Sequence, residues 1–136
     1  MHYIIDGSNL IYHMKLIKDC NEDIIITREE LNKSIAKMLE EKYPQDKASI
    51  VYDVHTWGFK HQSKKLNQLK IIFAVGKKED QPADNLIKNM AANELKKDEV
   101  IVVTSDSSLR TDIMFKGIKT MPVDDFWHEY GLYKYW

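Results

Sequence analysis

His2-Tyr3-Ile4-Ile5-Asp6-Gly7-Ser8-Asn9 opens the chain with an apolar run that stops abruptly at a carboxylate, a glycine and an amide. Residues 3–5 predict a short strand buried on both faces, the kind found in parallel sheets, and Gly7 is expected to let the chain turn sharply beyond it. Asp6 then sits at a strand's carboxyl end, the edge where open α/β sheets bind ligands. If other strands deliver carboxylates to that edge, the sheet carries a site.

Residues 48–54, Ala-Ser-Ile-Val-Tyr-Asp-Val, predict a second buried strand with Asp53 near its carboxyl end. Residues 69–75 read as a third. Residues 100–104, the most β-branched stretch, read as a fourth and run into Ser105-Asp106. Pro82 suits the start of a helix, where its missing amide hydrogen would be unpaired anyway, and Asp84 falls in the first turn. Leu86, Ile87, Met90, Ala91 and Leu95 give that helix an apolar face to about residue 97.

The intervening segments supply crossovers. Leu10, Ile11, Met14 and Ile17 are at helical spacing over residues 10–18. Thr27-Arg28-Glu29-Glu30 has the form of a capping box, with Ile26 and Leu31 as a hydrophobic staple, and predicts a helix that carries Leu31, Ile35, Met38, Leu39 and Tyr43 as far as Pro44. Residues 55–68 have no clear period and read as a loop. A short helix at 109–116 closed by Gly117, a weak strand at 118–121 and a last helix from about Asp124 complete the order. Strands joined by helices of crossover length predict a three-layer α/β fold with a mostly parallel sheet. The aromatic-rich residues 126–136 are expected to cap the core.

The 136 residues, 43% hydrophobic and 30% charged, suit one globular domain spanning 1–136. No run of about 18 apolar residues is present for a membrane span, and Met1 leads straight into a strand rather than a signal peptide, so a cytoplasmic location is expected. The lone Cys20 cannot close an internal disulfide or build a cysteine-based zinc site, and reads as a spare thiol. A net charge of −1 excludes a uniformly basic nucleic-acid binder but hides an asymmetry. Between Asp53 and Glu79 there is no acid, while His55, Lys60, His61, Lys64, Lys65, Lys70, Lys77 and Lys78 all fall there. Lys60, Lys64 and Lys65 are expected to form a positive approach surface, with Trp57 or Phe59 available to stack on an unpaired base.

Asp6, Asp53, Asp84 and Asp106 are thus expected on one edge. Like charges gathered closely raise one another's pKa values, so the set calls for a compensating cation. Mg²⁺ or Mn²⁺ prefers such oxygens, and a bound ion lowers the pKa of water and offsets charge on a phosphoryl group. Taken singly, each aspartate has a structural reading as a helix cap or turn former, as do Asn9 and Ser105. The chain has no Gly-x-x-x-x-Gly-Lys-Ser/Thr loop, and Asp6-Gly7-Ser8 lacks the second aspartate of a dehalogenase-type phosphatase.

Asp6-Gly-Ser-Asn9, Tyr52-Asp-Val-His55, Pro82-Ala-Asp-Asn85 and Thr104-Ser-Asp106 come in the same order as in the NYN branch of the PIN-like nucleases, and residues 1–126 resemble the YacP-like endoribonucleases within it. The resemblance implies a Rossmann-like PIN fold and metal-dependent cleavage of single-stranded RNA, with messenger RNA on the ribosome as the substrate for the YacP-like group. Carried onto this chain, it implies Asp6, Asp84 and Asp106 as metal ligands, Asp53 as their support, Asn9 and Ser105 as positioning groups and His55 as an RNA contact. The chain departs from the pattern at Asn85, where a second acid is common, and it has no basic tail after its last helix. The alternative is a catalytically silent RNA- or ribosome-binding module. Oligomeric state is left open.

Overall fold

The computed structural model describes residues 1–17, 24–54 and 61–136. Its elements are β1 (His2–Asp6), α1 (Gly7–His13), α2 (Ile24–Lys42), β2 (Lys47–Val54), β3 (Gln62–Leu66), β4 (Leu69–Val75), α3 (Pro82–Ala92), β5 (Val100–Val103), α4 (Ser107–Phe115), β6 (Lys119–Met121) and α5 (Val123–Glu129). The strands form one sheet in the order β3-β4-β2-β1-β5-β6. All neighbours are parallel except β3 and β4. Among the described residues no helix is long and apolar enough to cross a membrane.

Strand side chains alternate between faces, so a sheet covered on both sides needs apolar residues at successive positions. Tyr3 and Ile5 of β1, with Ala48, Ile50 and Tyr52 of β2, pack against α1, α2 and α5. Ile4 and Val51 point the other way, into a second cluster with Ala83 and Ile87 of α3 and Leu109 and Ile113 of α4. This is the three-layer arrangement expected from the crossovers. The same alternation turns Asp6 with Ile4, and Asp53 with Val51, toward the α3 side.

Several local expectations are corrected. Residues 62–66 form β3, an antiparallel edge strand, instead of continuing a loop. Gln62 to Lys65 are exposed, so no apolar alternation betrays the strand. Asn67 makes the turn into β4 at φ 53°, a left-handed conformation that asparagine tolerates. Helix α2 begins at Ile24, a turn before Thr27, and Thr27 is buried within it, so the Thr27–Glu30 pattern does not mark its start. Helix α1 begins at Gly7 and ends at His13, and α3 ends at Ala92 with Leu95 exposed beyond it.

Gly7 is needed for space rather than for a turn. It is not among the glycines with positive φ, yet a Cβ there would lie 2.5 Å from Cε1 of Tyr52 and 2.8 Å from Cγ1 of Ile50. The close approach lets α1 leave the sheet directly after Asp6. At the chain's other end Phe126 and Trp127 are buried, and Tyr130 packs edge-on to Tyr3 with ring centroids 5.4 Å apart, so these aromatics cap the core as expected.

Candidate active site

Strand β1 lies between β2 and β5, and their parallel run brings all three carboxyl ends to one edge. Asp6, the last residue of β1, is also the N-cap of α1: its Oδ1 accepts the Asn9 amide hydrogen at 3.2 Å. Its Oδ2 accepts the hydroxyl of Thr104, which is fully buried, at 3.1 Å. The same Thr104 oxygen accepts the Asp106 amide at 3.2 Å. Asp106 in turn caps α4 by accepting the Leu109 amide at 3.0 Å. Asn9 Oδ1 accepts the Ser105 amide at 2.8 Å, and Ser105 Oγ accepts the Val123 amide at 3.0 Å. Two crosslinks, one buried and one partly buried, therefore fix the end of β5 against the end of β1.

The β2 side is held in the same manner. Ser8 Oγ accepts the Asp53 amide at 2.9 Å, and Asp53 Oδ1 accepts the Ala83 amide at 2.9 Å, which ties the first turn of α3 to the sheet. Half-buried Asp84 follows in that turn. Arg28 donates from Nη2 to the Asp53 carbonyl at 3.0 Å and lies over the Tyr52 ring, 5.4 Å from its centroid.

Charge sets this edge apart. Burial pushes the Asp6 carboxyl up to about 7; hydrogen bonds from Asn9 and Thr104 oppose the rise, and the charges of Asp84 and Asp53 add to it. Asp84 is also raised, first by burial and then by Asp106 and Asp53, with Lys88 opposing. None of the four carboxylates forms an ion pair with a described residue. Lys88, one turn beyond Asp84, pairs instead with Asp112 at 2.8 Å.

The donor set is entirely hard oxygen, which fits Mg²⁺ or Mn²⁺. Among the described residues no three His, Cys, Asp or Glu side chains close around one point. The edge therefore suits a hydrated ion held by one or two direct carboxylates, with the others reaching it through water, rather than a closed protein cage.

The structure brings Asp6, Asp53, Asp84, Asp106, Asn9 and Ser105 together. Lys64 and Lys65 are not with them: they lie on β3, with β4 and β2 between it and β1, a separation of about 14 Å at the usual strand spacing. Charged side chains on an exposed edge strand also discourage pairing with another chain. His55 and Lys60, with Trp57 and Phe59, lie outside the described residues, as does Cys20. Sequence reasoning did not single out Thr104, Ser8 or Lys88. Thr104 and Ser8 sit inside the quoted motifs, and Lys88 is four residues from Asp84, the spacing that places two side chains on one helix face.

A family model of the YacP-like NYN domain matches residues 3–134. Two crystal structures of Rae1 (YacP) from Bacillus subtilis, one of a point mutant, share the fold with a TM-score of 0.71 at 20% identity. The alignments cover 98% of this chain and 77% of the mutant chain or 76% of the other. No curated protein matches.

Proposed function

Because the chain belongs to the YacP-like NYN domain family, a nuclease-like and RNA-related family, we propose that it is a metal-dependent endoribonuclease acting on single-stranded RNA, with translated messenger RNA on the ribosome as its substrate. The observation that carries this reading is the gathering of Asp6, Asp53, Asp84 and Asp106 on one edge, with no ion-paired cation among the described residues and two of them raised in pKa. Such an arrangement is costly to the fold unless a divalent ion is present to use it.

In this reading Asp6, Asp84 and Asp106 hold Mg²⁺ or Mn²⁺. When bound, the ion supplies a water of lowered pKa and offsets charge on the phosphoryl oxygens. Asp6 is oriented by the Asn9 amide and the Thr104 hydroxyl, so one carboxylate oxygen is pinned from each side. Asp53 anchors the first turn of α3 and thereby places Asp84. Asn9 and Ser105 set the spacing between β1 and β5, across which the scissile phosphate lies. Asn85 is exposed and donates to the Asp80 carbonyl at 2.8 Å, so it lends no charge to the edge. Lys64 and Lys65 are too far to grip the reacting phosphate and serve to attract the strand.

Labelled RNA, including a message under translation, incubated with Mg²⁺, with EDTA, and with the Asp6→Asn variant tests the proposal. Cleavage in the first reaction alone is the expected result. Intact RNA in all three, with binding retained, would make the chain a catalytically silent RNA- or ribosome-binding module.

A further inference from the structure

Asp84 and Lys88 stand one turn apart on α3, acid first, the spacing at which a helix pairs a carboxylate with a lysine along one face. Lys88 pairs elsewhere. Its Nζ lies 2.8 Å from Oδ2 of Asp112 on α4, which runs beside α3 in the same direction and shares a buried cluster with it. Both helices start at the carboxyl edge, so Lys88 lies about 6 Å along its helix from Asp84, and Asp112 about 9 Å along its own from Asp106. The hydrogen bond from Lys88 to Asp112 raises the pKa of the ammonium, burial opposes the rise, and the charges of Asp112, Asp84 and Asp106 add to it.

The pair contributes little to stability. Its side chains are 28% and 46% exposed, and α3 is already joined to α4 through buried Ile87, Leu109 and Ile113. Its effect is on where a cation stands. A lysine turned to Asp84 would occupy a carboxylate assigned to the metal ion, whereas Lys88 held by Asp112 leaves Asp84 to that ion and keeps a positive charge one turn away, where it acts on Asp84 and Asp106. An RNA strand crossing the acidic edge brings further phosphates past it, and the carboxylates repel them. A lysine ammonium, a compact charge with three donors on a flexible stem, suits a phosphate there.

We propose that Lys88 binds the RNA phosphate next to the scissile one, and that Asp112 holds the ammonium in place until the strand arrives. The phosphate then takes the contact that Asp112 makes in the free protein. Lys88 is in this way a substrate-binding residue and Asp112 a positioning residue. The inference rests on the endoribonuclease reading above and adds a direction to it: the strand leaves the acidic edge over α3 and α4.

Stopped-flow fluorescence anisotropy reads binding of a single-stranded RNA dodecamer ahead of its cleavage, at saturating Mg²⁺ and over a range of salt. Lys88→Gln and Asp112→Asn each break the ion pair, and Lys88→Arg keeps the charge. Lys88→Gln should weaken binding about tenfold, as for one lost charge-assisted hydrogen bond, and flatten the slope of log affinity against log salt by about 0.7. Lys88→Arg should restore the slope, and Asp112→Asn should bind at least as tightly as wild type, because a carboxylate that competes with the phosphate is gone. With a translated message as substrate, the same order should appear in KM rather than in kcat. Equal weakening by Lys88→Gln and Asp112→Asn would show only a clasp between helices, and an unaltered slope and KM in Lys88→Gln would place Lys88 off the RNA path. Either result overturns the inference and leaves the endoribonuclease reading standing. If wild type neither binds the dodecamer nor cleaves either substrate, that reading fails and takes the role of Lys88 with it.

Discussion

At the amino edge of the sheet, Asp46 takes the Met1 ammonium at 3.2 Å and the Tyr3 hydroxyl at 3.1 Å, and Glu94 takes His2 at 2.5 Å. At the carboxyl edge, among the described residues, Asp6, Asp53 and Asp106 accept amides and a hydroxyl, and Asp84 faces their charges with Lys88 drawn off toward Asp112. Among the described residues, the acids at one end thus have an ammonium, an imidazole or a hydroxyl as partner, and those at the other have no ion-paired cation. Partnered acids serve the fold. Acids gathered without a cation work against it and persist where something else makes use of their charge.

Asp6 offers the largest contrast. Its folded pKa, about 7, lies above the ordinary aspartate value of about 3.9, so the folded chain holds a proton over an interval in which the unfolded chain has lost it. Stability should therefore fall as pH rises from about 4 through about 7, by up to about 4 kcal/mol for a shift of three units. Asp6→Asn should remove this fall and be the more stable protein at pH 8, as read by urea denaturation across the range. A variant less stable than wild type at pH 8 would mean that the carboxylate stabilises the fold and that the two edges do not differ in kind.

Thr104→Val comes next. It keeps the volume but removes the hydroxyl that orients Asp6 and accepts the Asp106 amide. A hydrogen-bond partner behind a metal ligand is worth about 10–100-fold in affinity or activity, so cleavage should drop by that factor in a folded protein. Unchanged cleavage would mean that the crosslink between β1 and β5 is only structural.

The smallest effect belongs to the amino edge. Asp46→Asn breaks a partly exposed ion pair and should cost less than about 1 kcal/mol, with cleavage at the wild-type rate. A large loss of cleavage would contradict the division of labour between the edges.

The same contrast explains what the sequence could show. The central strands were legible because burial on both faces makes them continuously apolar, and each ends in a visible carboxylate, Asp6, Asp53 or Asp106. Pro82 announced the turn that carries Asp84. Strand β3 was hidden because an edge strand exposed on both faces has no apolar period, so Lys64 and Lys65 read as loop residues when they lie on a strand. The start of α2 was obscured because Thr27 has the chemistry of a cap but lies buried one turn inside the helix. The space requirement at Gly7 and the two-way bond of Thr104 depend on neighbours about 45 and 98 residues away, contacts that no local pattern encodes.

Binding of Mn²⁺ followed by electron paramagnetic resonance tests the central claim most directly, because the free ion's signal is lost as it binds. Wild type and Asp46→Asn should each take up Mn²⁺ saturably and release it to excess Mg²⁺, while Asp6→Asn should leave the ion free. Equal uptake by Asp6→Asn and wild type would contradict the assignment of the acidic edge as the cation site.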